Sequence, residues 1–115
     1  MALQTELFPG PEAQAFDMPD AKINYWPRFF SASEANLLLR SLIEQIPWKQ
    51  NKIRFYGKES LVPRLESWHG EPGIRYAYSG IEMEAKPWTK DLLTIKSATE
   101  KVSNTPYNSG LINYY

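Results

Sequence analysis

The sequence predicts an α+β fold, and three observations carry that expectation. A capped, Leu-rich helical stripe runs from Ser31 to Ile46, and a second stripe runs from Trp88 to Val102. Between and after them lie short alternating runs separated by Gly and Pro turns, the pattern of strands rather than helices. The elements follow in order. Residues 1–20 carry Pro9, Gly10, Pro11 and Pro19 among scattered acids, with no sustained periodicity, and read as a flexible or loosely docked leader. Lys22-Ile23-Asn24-Tyr25-Trp26 alternates and is aromatic, which suits a short strand ended by Pro27. Ser31-Ala32-Ser33-Glu34 is a capping box, in which the Ser31 hydroxyl accepts from the Glu34 amide and Glu34 reaches back to the Ser31 amide. Behind it Leu38, Leu42 and Ile46, with Leu39 and Ile43 beside them, form one apolar stripe that Pro47 stops.

From Lys49 to Gly80 the pattern changes to short strands. Ile53-Arg54-Phe55-Tyr56 leads into a hairpin turn at Gly57-Lys58, and Leu61 to Trp68 supplies the returning strand. Gly70-Glu71-Pro72-Gly73 is another turn, after which Ile74, Tyr76 and Tyr78 fall on one face of an alternating strand. Pro87 suits the first position of the second helix, whose buried face is marked by Trp88, Leu92, Ile95 and Val102, with Leu93 and Ala98 near its edges. Asn104-Thr105-Pro106 closes it, and Tyr107–Tyr115 is a final strand. A lone terminal strand cannot bury both faces. It is therefore expected to want partners from outside this chain, with self-association through an incomplete sheet.

Composition narrows function. A chain of 115 residues is one small domain or part of a larger one, and 43% apolar with 14% aromatic residues is enough for a core. Thirteen basic and thirteen acidic residues cancel, yet Lys49, Lys52, Arg54, Lys58 and Arg64 crowd into one segment against the single anion Glu59. Without cysteine there are no disulfides and no thiolate metal sites. No apolar run approaches the ~18 residues of a membrane span, and the N-terminus lacks a secretory pattern. The expected location is intracellular, cytoplasmic or nuclear.

Catalysis needs a constellation, and familiar ones are missing. The single histidine, His69, sits in the turn-like Trp68-His69-Gly70-Glu71 and reads as a solvent-facing turn residue. One histidine cannot complete a zinc site of the usual ligands or a two-histidine facial triad for iron. No phosphate-binding Gly-rich loop occurs, and no serine has an evident histidine partner. What remains is aromatic and basic chemistry. Tyr56, at the end of a cation-rich hairpin, suits stacking on a base, with Lys52, Arg54 and Lys58 on flanking phosphates. The local pattern alone favours an ordinary charged hairpin with Phe55 buried and Tyr56 at its rim. Likewise Tyr76 and Tyr78 suit either sheet packing or the two sides of an extruded base.

Longer motifs shift that balance. Phe55-Tyr56-Gly57-Lys58-Glu59-Ser60-Leu61-Val62-Pro63-Arg64, Gly70-Glu71-Pro72-Gly73-Ile74-Arg75-Tyr76-Ala77-Tyr78-Ser79-Gly80, Lys86-Pro87-Trp88 and Tyr107–Tyr115 occur in an order and spacing that resembles the AlkB family. Its members are iron(II) and 2-oxoglutarate-dependent dioxygenases that remove alkyl groups from nucleic-acid bases such as methylated adenine or cytosine. The resemblance runs from about Ile23 to the last residue. It implies a nucleotide-recognition lid of helices and hairpins over residues 21–106, with residues 107–115 as the first strand of an incomplete jelly-roll core.

By position, the resemblance implies that Tyr56 is the finger residue filling the gap left by a flipped base and that Arg64 is the substrate-region arginine. Tyr76 stands where a tyrosine bonds the base or its neighbours, Tyr78 where an aromatic sandwiches it, and Ser79 beside them. Asn113 and Tyr115 match the pair that holds 2-oxoglutarate. His69 replaces an aromatic before the glycine and Glu71 replaces an aspartate. The iron ligands and the carboxylate-binding arginines of the family would follow Tyr115. The expectation is thus the substrate-recognition portion of a dealkylating DNA-repair dioxygenase, inactive alone and not expected to bind 2-oxoglutarate or Fe(II) well. The rival expectations are a stand-alone nucleic-acid-binding module and a truncated product without function. The expected partner is alkylated DNA or RNA.

Overall fold

A computed structural model of the chain describes residues 13–78 and 80–115. Among them the order is β1 (Gln14–Met18), β2 (Ala21–Tyr25), α1 (Ala32–Gln45), β3 (Lys52–Phe55), β4 (Lys58–Leu61), β5 (Leu65–Gly70), β6 (Arg75–Tyr78), β7 (Ile81–Glu84), α2 (Lys90–Ser103) and β8 (Ser109–Tyr114). The fold is α+β, as the sequence predicts. Two compact units divide the chain, Met1–Leu42 and Ile43–Tyr115, with the boundary inside α1.

In the first unit β1 and β2 form an antiparallel hairpin from Gln14↔Tyr25 to Met18↔Ala21. Asp20 takes the left-handed conformation in its turn (φ 58°), which Asp tolerates better than most residues. A paired strand thus occupies part of the span expected to be a flexible leader. Both strands are exposed along their whole length, so backbone pairing makes this hairpin; alternation marked β2, and hydropathy gave no sign of β1. The rest of the leader, residues 1–12, lies outside the described residues. At the start of α1 the Glu34 amide donates to Ser31 Oγ at 3.2 Å, and the Ser31 hydroxyl donates to Glu34 Oε1 at 2.9 Å. The capping box therefore forms, with its return arm made through the hydroxyl. Ile46 is buried and Leu38 and Leu42 are half-buried, whereas Leu39 and Ile43 are exposed. The buried stripe is narrower than the spacing suggested.

The second unit is organised by β5. Its residues Glu66 to Gly70 are all buried because both edges of the strand are occupied. On one edge β8 pairs antiparallel, from Leu65↔Tyr114 to Gly70↔Ser109. On the other, the Lys86 amide donates to the Trp68 carbonyl and the Gly70 amide donates to the Lys86 carbonyl, each at 2.9 Å. The terminal strand thus finds a partner within the chain, contrary to the expectation of a lone strand. The returning strand expected over Leu61–Trp68 is also two elements. β4 pairs with β3, and after Pro63 the chain leaves that hairpin to become β5. Gly70 is required by close approach, since a Cβ there would lie 2.6 Å from the Asn108 carbonyl oxygen.

β6 and β7 pair antiparallel from Arg75↔Glu84 to Tyr78↔Ile81. α2 begins later than Pro87 suggested: Thr89 is its N-cap, and its side chain accepts from the Leu92 amide at 3.2 Å. A threonine hydroxyl satisfies an orphan helix amide, which proline cannot do. Leu92 is buried, Ile95 and Val102 are half-buried, and Asn104 ends the helix in the left-handed conformation. No helix among the described residues is long and apolar enough to cross a membrane.

Candidate functional site

The β3–β4 hairpin turns on two residues, Tyr56 (φ 51°) and Gly57 (φ 75°). Positive φ at both central positions is the turn that matches strand twist, and glycine suits its second position. It also moves the turn one residue earlier than Gly57-Lys58. Tyr56 is 91% exposed and Phe55 68% exposed. Their rings meet edge to face with centroids 4.4 Å apart. Phe55 is therefore not the buried anchor of an ordinary hairpin. The register puts Lys52 and Arg54 on one face and Phe55 and Lys58 on the other, so cations flank the tip on both sides. Arg54 is paired with Glu59 across the strands at 3.0 Å, but both are well exposed, and such a pair contributes little and exchanges easily for a phosphate.

Arg64 does not join this exposed set. Its Nε lies 2.8 Å from Glu66 Oε1 in an ion pair and donates to Asn113 Oδ1 at 3.2 Å, and its side chain is 23% exposed. Glu66 is fully buried, and its other oxygen accepts from Asn51 Nδ2 at 2.8 Å. A buried carboxylate is tolerated only when it is paired and hydrogen-bonded, and here it is both. Sequence reasoning missed Asn51 and Glu66. The one available sign was an acid inside the otherwise strand-like run after Pro63-Arg64. A cavity of about 540 Å³ borders this cluster, lined by Asn51, Glu66 and Met83 with Lys49, Lys52 and Lys86 among its walls.

Tyr76 lies over Trp68, with centroids 5.0 Å apart and ring planes 33° apart, and is 37% exposed. Beneath it Trp68 Nε1 is buried without a hydrogen-bond partner among the described residues. Tyr78 has its backbone in β6, while its side chain and Ser79 lie outside the described residues.

His69 overturns its expected place. It is 1% exposed and belongs to β5, not to a turn. Its Nδ1 lies 2.8 Å from the Pro87 carbonyl oxygen, which can only accept, so Nδ1 carries the proton. Nε2 then accepts from the Ser67 hydroxyl at 2.8 Å. The turn begins one residue after Gly70, because close packing of Gly70 against β8, not chain reversal, is what demands that glycine.

No protein-family model matches this chain. Curated relatives match most of it. The mouse protein named alpha-ketoglutarate-dependent dioxygenase alkB homolog 3 is 36% identical over 99 residues, covering 83% of this chain and 33% of its own length. Its human counterpart is 35% identical over 99 residues, with 83% and 33% covered. The human protein named DNA oxidative demethylase ALKBH2 is 28% identical over 89 residues, with 75% and 34% covered. The chain belongs to the AlkB family. It spans about one third of the length of these relatives.

The relatives' names make 2-oxoglutarate, and the resemblance described above makes iron, a group worth testing against this AlkB-family chain. For 2-oxoglutarate, Asn113 has its amide oxygen on Arg64, which leaves two N–H donors on Nδ2, and the Tyr115 side chain two residues on is exposed. These donors suit a carboxylate. For iron the residues do not fit. Both His69 nitrogens are engaged, and no three of His, Cys, Asp or Glu come together among the described residues.

Proposed function

We propose that this chain is the substrate-recognition portion of an AlkB-type 2-oxoglutarate and Fe(II)-dependent dioxygenase that dealkylates nucleic-acid bases. The observation that carries the reading is Tyr56. A bulky residue at positive φ is strained by about 1–2 kcal/mol, and a tyrosine left 91% exposed gains no burial to offset it. Strain of this kind is kept where a side chain does work. A ring at the tip of a two-residue turn is shaped to enter a base stack, and Lys52 and Lys58 on opposite faces reach the phosphates to either side.

In this reading a base inside a duplex is unreachable, so the recognition lid extracts it. Tyr56 fills the gap, while Tyr76, Tyr78 and Ser79 contact the flipped base and its neighbours. Asn113 and Tyr115 would hold 2-oxoglutarate, whose oxidative decarboxylation supplies the electrons for oxygen-dependent dealkylation. Residues 107–115 would be the first strand of the jelly-roll core. Alkylated DNA or RNA is the partner.

The test is a titration of the chain with a single-stranded oligonucleotide carrying one methylated adenine and with its unmodified twin, at several salt concentrations. Binding is expected to fall steeply as salt rises and to favour the methylated strand. Salt-insensitive binding that does not distinguish the two strands contradicts the proposal.

A further inference from the structure

Arg64, Glu66 and Asn113 come together by register. Asn113 stands opposite Glu66 across the β5–β8 pair, and Arg64 precedes β5 by one residue. The guanidinium therefore lies between a buried carboxylate and an amide oxygen, with Nε within 2.8 Å and 3.2 Å of them. An amide side chain has two chemically different ends of nearly equal shape, so its orientation is set by its neighbours. Arginine has donors only, and Asn113 must turn its oxygen toward it. The Nδ2 end is thereby committed to face away from Arg64, as a pair of donors.

What holds Arg64 is Glu66. The carboxylate accepts on both oxygens, from Arg64 and from Asn51 at the base of the β3–β4 hairpin, and its side chain is completely enclosed. It cannot follow the guanidinium outward without losing Asn51. Arg64 is thus pinned in place, although it is the most exposed member of the cluster's charged pair.

We propose that Glu66 is a positioning residue for Asn113: by pinning Arg64 against the Asn113 oxygen it presents the Asn113 amide nitrogen as a donor for a carboxylate ligand. The inference rests on the reading of Asn113 as a 2-oxoglutarate contact and adds the residue that orients it. Because Asn51 closes the recognition hairpin, through its carbonyl and the Val62 amide at 2.9 Å, the same carboxylate ties the hairpin base to β8.

The test uses the full chain labelled with nitrogen-15, following the Asn113 side-chain amide while 2-oxoglutarate is added. The unsubstituted chain should give one set of Asn113 amide signals that shifts only at high concentrations of 2-oxoglutarate, in keeping with the weak binding expected of this chain alone. Glu66→Gln keeps the shape and the capacity to bond Asn51 but loosens Arg64. It should weaken the response about tenfold or more and split the free amide into two orientations. Arg64→Lys keeps the charge beside Glu66, so it covers the case in which Glu66→Gln fails to fold. With one nitrogen in place of a fork, it should produce the same loss. An unchanged, single Asn113 signal with unchanged ligand response in either folded variant overturns the positioning role. An Asn113 amide that does not respond to 2-oxoglutarate in the unsubstituted chain overturns it too. Nucleic-acid recognition is read separately by oligonucleotide titration, where Glu66→Gln leaves Tyr56 and the lysines in place, so failure of one reading is distinct from failure of the other.

Discussion

Between Lys52 and Leu61 the chain exposes Phe55 and Tyr56, while between Leu65 and Gly70 it encloses Glu66, Ser67 and His69. The two segments are neighbours in sequence and invert the usual placement of polar and apolar side chains. Aromatic rings left in water and polar groups kept from it both have a cost, and the structure shows what compensates only for the second. Glu66 has Arg64 and Asn51, and His69 has Ser67 and the Pro87 carbonyl. Among the described residues the hairpin tip has no such compensation beyond the contact of its two rings. The difference separates two kinds of placement: the carboxylate, hydroxyl and imidazole enclosed in β5 are satisfied, whereas the tip is the surface that, on the proposed reading, meets a ligand.

The largest effect should come from breaking the scaffold. Arg64→Ala leaves the enclosed Glu66 without its cation and should destabilise the chain by about 3–5 kcal/mol, measured by urea unfolding. A loss below about 1 kcal/mol, the range of an exposed pair, would erase the distinction between the two segments. Gly70→Ala comes next. The new methyl would sit 2.6 Å from the Asn108 carbonyl oxygen, so β8 must shift, at a cost of about 1–3 kcal/mol. Hydrogen exchange should report it first along Leu111 and Ile112.

These residues also mark where the sequence was legible. The α1 cap, β2, β6 and the closure of α2 at Asn104 were readable because each rests on local chemistry: a capping box, alternation, a left-handed Asn. β7 escaped notice although Ile81-Glu82-Met83-Glu84 alternates in and out, and β1 escaped because an exposed hairpin carries no hydrophobic signal. The placement of β5 was not readable at all. Its burial comes from β8, whose paired residues lie 39 to 49 positions further on, and from Lys86 on its other edge. His69 was misjudged for that reason. Of the candidate site, Tyr56 and its flanking lysines were legible as a cation-rich turn, whereas the inward bond from Arg64 to Glu66 depends on a strand pairing that local pattern cannot supply.

At the hairpin the expected effects are smaller and of another kind. Lys52→Ala should leave stability unchanged and weaken oligonucleotide binding uniformly across sequences. It should lower the slope of log affinity against log salt by about one. A sequence-dependent loss with an unchanged slope would mean that Lys52 reads bases. The smallest effect is a pH term away from both segments. The Tyr107 amide donates to the Glu100 carboxylate at 2.9 Å and Lys96 lies beside it, so its pKa is lowered from the ordinary 4.5. A lowered carboxylate stabilises the fold above its ordinary value and loses that contribution as pH falls through the lowered one. Glu100→Gln should therefore flatten the acid side of the stability profile slightly and leave neutral-pH oligonucleotide binding unchanged. An acid limb of unchanged steepness would remove Glu100 from the account.

The most direct test of the central claim measures Tyr56→Ala twice, once by oligonucleotide titration and once by unfolding. A ring held out for a nucleic-acid base should lose about 1–3 kcal/mol of binding with the salt slope unchanged. Unfolding stability should stay the same, because no buried contact of the ring is given up. Tyr56→Phe should bind nearly as the unsubstituted chain does, since stacking uses the ring and not the hydroxyl. If Tyr56→Ala instead unfolds the chain while binding per folded molecule is unchanged, Tyr56 is part of the scaffold. The hairpin would then not be the recognition surface.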